Sequence, residues 1–113
     1  MTTITFFTHG AHIKAIEMSG HAYRSPSGSD IVCAALTSAV RLVEAGLNDV
    51  LDVGAKAEIF PERTRVKITL PENIAADKAL ACGTLVQAFR EHAGHLKQEY
   101  PGYIDIKEVD YDA

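Results

Sequence analysis

Thr3-Ile4-Thr5-Phe6-Phe7-Thr8-His9-Gly10-Ala11-His12-Ile13-Lys14-Ala15-Ile16-Glu17-Met18-Ser19 opens the chain as two strands joined by a tight turn. Thr3 to Thr8 is dense in β-branched and aromatic residues, which suit a pleated, half-buried surface. In Ile13 to Ser19, Lys14, Ile16 and Met18 alternate with Ala15 and Glu17. His9-Gly10-Ala11-His12 between them has the length and the glycine of a hairpin turn. Immediately beyond, the period changes. Leu36, Val40, Val43 and Leu47 recur at spacings of four, three and four, one face of a helix from about Asp30 to about Leu47.

The same reading carries to the end of the chain. Ala57-Glu58-Ile59-Phe60 is a short strand and Pro61-Glu62-Arg63-Thr64 a turn. Val66, Ile68 and Leu70 alternate with Arg65, Lys67 and Thr69, the pattern of a strand with one buried face. After the break at Pro71-Glu72-Asn73, a longer helix carries Ala79, Cys82, Val86, Phe89, Ala93 and Leu96 three and four apart. Pro101-Gly102 ends that region, and Tyr103 to Lys107 alternates as a closing strand. The order ββ-α-ββ-α-β predicts an α+β fold, with two helices packed on one mixed or antiparallel sheet. Residues 1–113 form a single domain, with no repeat or linker interrupting the pattern.

Composition narrows the function. At 47% hydrophobic and 23% charged residues, the chain has an ordinary globular balance and enough apolar material for a core. A formal net charge of −4 and scattered Lys and Arg argue against direct binding of nucleic acid, which needs a basic face. Met1 to Phe7 lacks a basic region ahead of an apolar run, so it reads as a strand and not a signal peptide. No segment is expected to reach the roughly 18 apolar residues of a membrane span, and the expected compartment is the cytoplasm. Cys33 and Cys82 are then expected as reduced thiols.

The densest chemistry lies between the second strand and the first helix, in Gly20-His21-Ala22-Tyr23-Arg24-Ser25-Pro26-Ser27-Gly28-Ser29-Asp30-Ile31-Val32-Cys33-Ala34-Ala35. Cys33 is expected about one turn inside the helix, where unsatisfied N–H groups and the positive dipole end favour a thiolate. Those N–H groups also suit the oxyanion of an attacked carbonyl. His21 ends the second strand and serves as base and then acid if the loop folds back onto the sulfur. Gly20 and Gly28 permit close backbone approach or positive φ. Ser27 or Ser29 caps the helix, and Asp30 suits its positive end. Against this stands the simpler reading of Cys33 as a small packed hydrophobe.

Gly20-His21-Ala22, followed by Gly28 and by Asp30-Ile31-Val32-Cys33-Ala34-Ala35, resembles the paired motifs of the bacterial ribosomal-processing cysteine proteases, the Prp family. The resemblance in length and element order extends over nearly the whole chain. It implies Cys33 as nucleophile and His21 as general base, a Cys-His dyad with no cofactor. It gives Asp30 as the motif aspartate, either capping the helix or orienting a partner. Where the family commonly has a serine four positions after the cysteine, this chain has Thr37, with Ser38 beside it. Thr37 keeps the hydroxyl and adds a methyl. Pro26 limits the flexibility of the joining loop.

The resemblance further implies a substrate, the N-terminal extension of large-subunit ribosomal protein twenty-seven, and a homodimer. The competing readings are a non-enzymatic binding module for a ribosomal protein or ribosome assembly factor, and a thiol hydrolase acting on a non-peptide substrate. Elsewhere the candidates are weaker. Cys82 falls on the apolar stripe of the second helix and reads as a buried structural thiol. His92 and His95 stand one turn apart without an evident third ligand, so no metal site is expected. His9 and His12 flank the hairpin turn and read as surface residues.

Overall fold

A computed structural model describes residues 1–20, 27–60 and 65–111, with the side chains of residues 27–30 outside that description. The strands are β1 (Thr2–His9), β2 (His12–Ser19), β3 (Lys56–Phe60), β4 (Arg65–Thr69) and β5 (Ile104–Asp110). The helices are α1 (Ser27–Ala45) and α2 (Ala76–Glu99), and α1 continues into a π-helical turn, Gly46–Val50. The sheet order is β3-β4-β2-β1-β5. β1 pairs antiparallel with β2 and parallel with β5, so the sheet is mixed. The predicted element order and α+β architecture are both present.

The β1–β2 hairpin fixes which residues face the helices. Ile4 pairs with Met18 and Phe6 with Ile16, and all four are buried. Between Phe7 and Thr8 the register shifts: Phe7 faces Ala15, but Thr8 faces Ile13. Lys14 is therefore the extra residue of a bulge. A bulge reverses the parity of the pleat beyond it, which is how Ile13 joins the core although simple alternation assigns it to the other face. Gly10 makes the turn at φ +60.

Both helices contribute to one core with these strands. α1 supplies Val32, Leu36, Val40 and Val43, and the π-helical turn adds Leu47. α2 supplies Cys82, Val86, Phe89, Ala93 and Leu96. Phe6 and Phe89 meet at 6.0 Å between ring centroids, tilted by 56°, within the separation at which aromatic pairs attract. Ala79 departs from the expected stripe and is exposed. α2 also starts a turn earlier than its apolar pattern, at Ala76, with Asp77 in its first turn and Lys97 in its last. Both charges complement the helix dipole.

The expectation that no segment is apolar enough to span a membrane is corrected by α1. Ile31–Val50 is long and apolar enough by length and composition. Within it Val32, Leu36, Val40, Val43 and Leu47 are buried in the core, while Ile31, Leu42 and Val50 are exposed. The opposite face of the sheet is polar. Arg65 pairs with Glu17 at 3.6 Å and lies 4.2 Å from the Phe60 ring centroid, while Lys67 lies 4.7 Å from that of Phe7.

Candidate active site

Two fixed points frame the motif. At one end, β2 stops at Ser19 and Gly20 takes φ +85. A Cβ on Gly20 would stand 2.7 Å from the backbone oxygen of Met1, closer than any real contact. Glycine is thus required both by conformation and by space. The backbone that crowds Gly20 is the start of β1, whereas the sequence reading allowed for approach by a substrate. At the other end α1 begins at Ser27. His21, together with Pro26 and the rest of the joining loop, lies outside the described residues.

Cys33 is the seventh residue of α1, because the helix starts three residues before the expected Asp30. At a rise of 1.5 Å per residue the thiol-bearing residue is about 9 Å along the axis from Ser27. In an α-helix that far from its start, the Cys33 N–H is taken up by the carbonyl four residues back. The unsatisfied N–H groups belong to the first turn, and the dipole effect fades within it. Helix-end stabilisation of a thiolate is therefore weaker than the sequence reading implied. The tilt of helical Cα–Cβ bonds toward the N-terminus recovers part of the distance.

Local packing places Cys33 at the edge of the core. Its neighbour Val32 and the next-turn Leu36 are fully buried, anchoring α1 to the sheet, while Cys33 is half-buried. On the outward side an open groove is lined by Cys33, Ala34, Thr37, Ser38 and Arg41. Thr37, half-buried, follows Cys33 by one turn, and Ser38 is exposed beside it. Cys33, Thr37 and Ser38 thus line one groove. Arg41 was not singled out from the sequence, although it lies four residues beyond Thr37 and so extends the same face. Gly28 and Asp30 lie in the first turns of α1, with the Asp30 side chain outside the described residues.

The second thiol has a different setting. Cys82 is 1% exposed, among the apolar residues of α2. Burial pushes its pKa up from the ordinary thiol value, with Lys78 pulling weakly the other way. A thiol held protonated in the core is inert. Cys33 and Cys82 are not joined in a disulfide. His9, His12, His92 and His95 are exposed, and among the described residues no group of three or more His, Cys, Asp or Glu side chains is placed to hold a metal.

A five-stranded mixed sheet carrying two helices, with a half-buried cysteine beside an open groove on the first, defines an α+β domain with a thiol at the edge of its core. The chain belongs to the cysteine protease Prp family, whose model matches residues 1–105. It is a cysteine endopeptidase, a hydrolase by family. The fold is similar to that of SMU.848 from Streptococcus mutans, with a TM-score of 0.84 at 23% identity over 98% of this chain and 99% of that one. It is also similar to the essential ribosomal processing protease Prp from S. aureus in complex with a substrate peptide. That likeness has a TM-score of 0.82 at 15% identity, covering 96% of this chain and 99% of that one. The same S. aureus protease with a covalently linked product peptide gives a TM-score of 0.75 at 14% identity, again over 96% and 99% of the two chains. No curated protein sequence matches the chain.

Proposed function

We propose that this chain is a ribosomal-processing endopeptidase that removes the N-terminal extension of large-subunit ribosomal protein twenty-seven through a dyad of Cys33 and His21. The observation that carries the reading is the placement of Cys33, half-buried at the edge of the core and facing an open groove with Thr37 and Ser38. An extended peptide laid along that groove presents a carbonyl to the sulfur. Cys33 attacks it, His21 protonates the departing amine, and water activated by His21 then releases the acyl group from sulfur. Gly20 holds the strand end from which His21 follows, Gly28 lies in the first turn of α1, and Asp30, already inside that helix and not its cap, orients a partner in the site.

The supporting likeness is to an S. aureus ribosomal processing protease that holds a substrate peptide. The protein acts in the cytoplasm as a homodimer, taking a ribosomal protein precursor as a peptide and making no direct contact with nucleic acid or membrane. The test incubates purified protein with a peptide spanning the extension and the mature N-terminus. Wild-type protein cleaves it once, and Cys33→Ala and His21→Ala do not. Full cleavage by Cys33→Ala overturns the dyad, and an intact peptide with the wild-type protein overturns the substrate.

A further inference from the structure

The groove that holds Cys33 has a charged far end, Arg41, whose charge has no partner among the described residues. Among the described arginines, Arg65 pairs with Glu17 and lies over the Phe60 ring, and Arg90 pairs with Glu108 at 2.7 Å and lies over the Phe6 ring. Arg41 makes no such contact among the described residues, and its side chain is exposed in the groove. The remaining described ion pair joins Lys56 to Glu58, so even Glu44, three residues beyond Arg41, is not its partner.

Distance along the helix turns this into a statement about sequence preference. Arg41 lies eight residues after Cys33, which is about 12 Å along the helix axis. An extended peptide advances about 3.3 Å per residue. A peptide lying along the groove with its reacting carbonyl at the sulfur therefore brings its third or fourth residue from that carbonyl to the guanidinium. The planar, always-charged fork of arginine matches a carboxylate in two parallel hydrogen bonds. We infer that Arg41 is a specificity-determining residue that receives an acidic side chain three to four positions from the bond Cys33 attacks. The inference rests on Cys33 being the nucleophile, and it deepens the proposed reading by assigning a chemical preference to the groove.

Peptide-directed labelling of the thiol tests it without needing the natural substrate. The probes are tetrapeptides of three alanines and a terminal glutamate, glutamine or lysine, with the reactive carbon at the opposite end. An N-terminal iodoacetyl group and a C-terminal chloromethyl ketone present the variable residue on either side of that carbon. In one orientation, glutamate labels wild-type Cys33 about threefold to fivefold faster than glutamine at low salt, the gain of a partly exposed ion pair. That ratio falls toward one in about 0.5 M salt. Arg41→Gln brings the ratio to one at any salt, and Arg41→Glu reverses it in favour of lysine.

Equal ratios in all three proteins, in both orientations, overturn the inference, as does failure of every probe to label Cys33. The outcomes remain separable from those of the proposed function. Loss of extension-peptide cleavage with the labelling preference intact removes the substrate and leaves Arg41. Cleavage with no labelling preference does the reverse.

Discussion

Gly20 sits against the backbone of Met1 so closely that a single added carbon would lie 2.7 Å from the Met1 oxygen. The end of β2 and the beginning of β1 are thereby locked together, directly before His21. Gly20→Ala meets two penalties: a positive φ of 85 and a collision with backbone that cannot rotate away. Together they cost about 1–3 kcal/mol. Gly102→Ala is the control, because its φ of +90 is equally unfavourable but nothing lies within 4 Å of its added carbon. Thermal denaturation separates the effects: Gly20→Ala lowers Tm more than Gly102→Ala, and the excess is the collision. Equal Tm losses would mean that the contact with Met1 is immaterial.

Thr37 shares a groove with Cys33 one helical turn away. It brings to that groove a hydroxyl able to donate or accept a hydrogen bond, together with a methyl that serine lacks. Thr37→Ser keeps peptide cleavage within about twofold of wild type, whereas Thr37→Val lowers kcat/KM by about threefold to tenfold, the worth of one neutral hydrogen bond. Steady-state kinetics on the extension peptide checks this. Equal activity of the valine and serine variants would assign Thr37 a packing role alone.

These two positions also show where sequence reading succeeds. The stripe Leu36, Val40, Val43, Leu47 was legible because burial of one helical face imposes its spacing directly. The order of strands and helices along the chain followed from alternation and turn residues, but their arrangement β3-β4-β2-β1-β5 in the sheet did not. The bulge at Lys14 was hidden, since it depends on the partner strand and not on local pattern. The start of α1 at Ser27 was hidden too: its early residues, Ser27-Gly28-Ser29, carry no apolar period. For Gly20, sequence could show that a glycine was wanted but not that Met1 is the reason. Arg41 was overlooked because a lone exposed cation looks the same in sequence whether it lies in a groove or in open solvent.

The two thiols predict opposite reactivities. Burial holds Cys82 protonated, and Lys78 offsets that only in part. Near neutral pH iodoacetamide modifies Cys33 and spares Cys82 in the folded protein, and modifies both after denaturation. Intact and peptide mass spectrometry read the sites. A linked effect follows for stability. Because the folded state holds the Cys82 proton more tightly than the unfolded state, its contribution is fully present below the unfolded thiol pKa of about 8.5. It is lost as pH rises through the higher folded value. Cys82→Ala removes this alkaline loss while costing some packing, so its stability declines less steeply above about pH 8.5. Parallel declines in wild type and variant would show that Cys82 does not control the alkaline limb.

Asn48, in the middle of the π-helical turn, is tied to Ala55, the residue before β3. Its side-chain amide donates to the Ala55 carbonyl at 3.0 Å, and its side-chain oxygen accepts from the Ala55 N–H at 2.7 Å. This pair closes a loop that also contains Asp52 at φ +54 and Gly54 at φ +75. Ala55 is buried, so removing the side chain leaves a donor and an acceptor with restricted access to water. Asn48→Ala therefore costs about 1–3 kcal/mol, which for a domain of this size lowers Tm by roughly 4–8 °C per kcal/mol. Asn48→Asp keeps the acceptor, loses the donor and sets a carboxylate against the Ala55 carbonyl, so it is also destabilised. The loop lies beyond the C-terminal end of α1 while Cys33 lies near its beginning, so both variants keep full peptide cleavage below their unfolding temperatures. Loss of cleavage without loss of Tm would instead tie this loop to the groove.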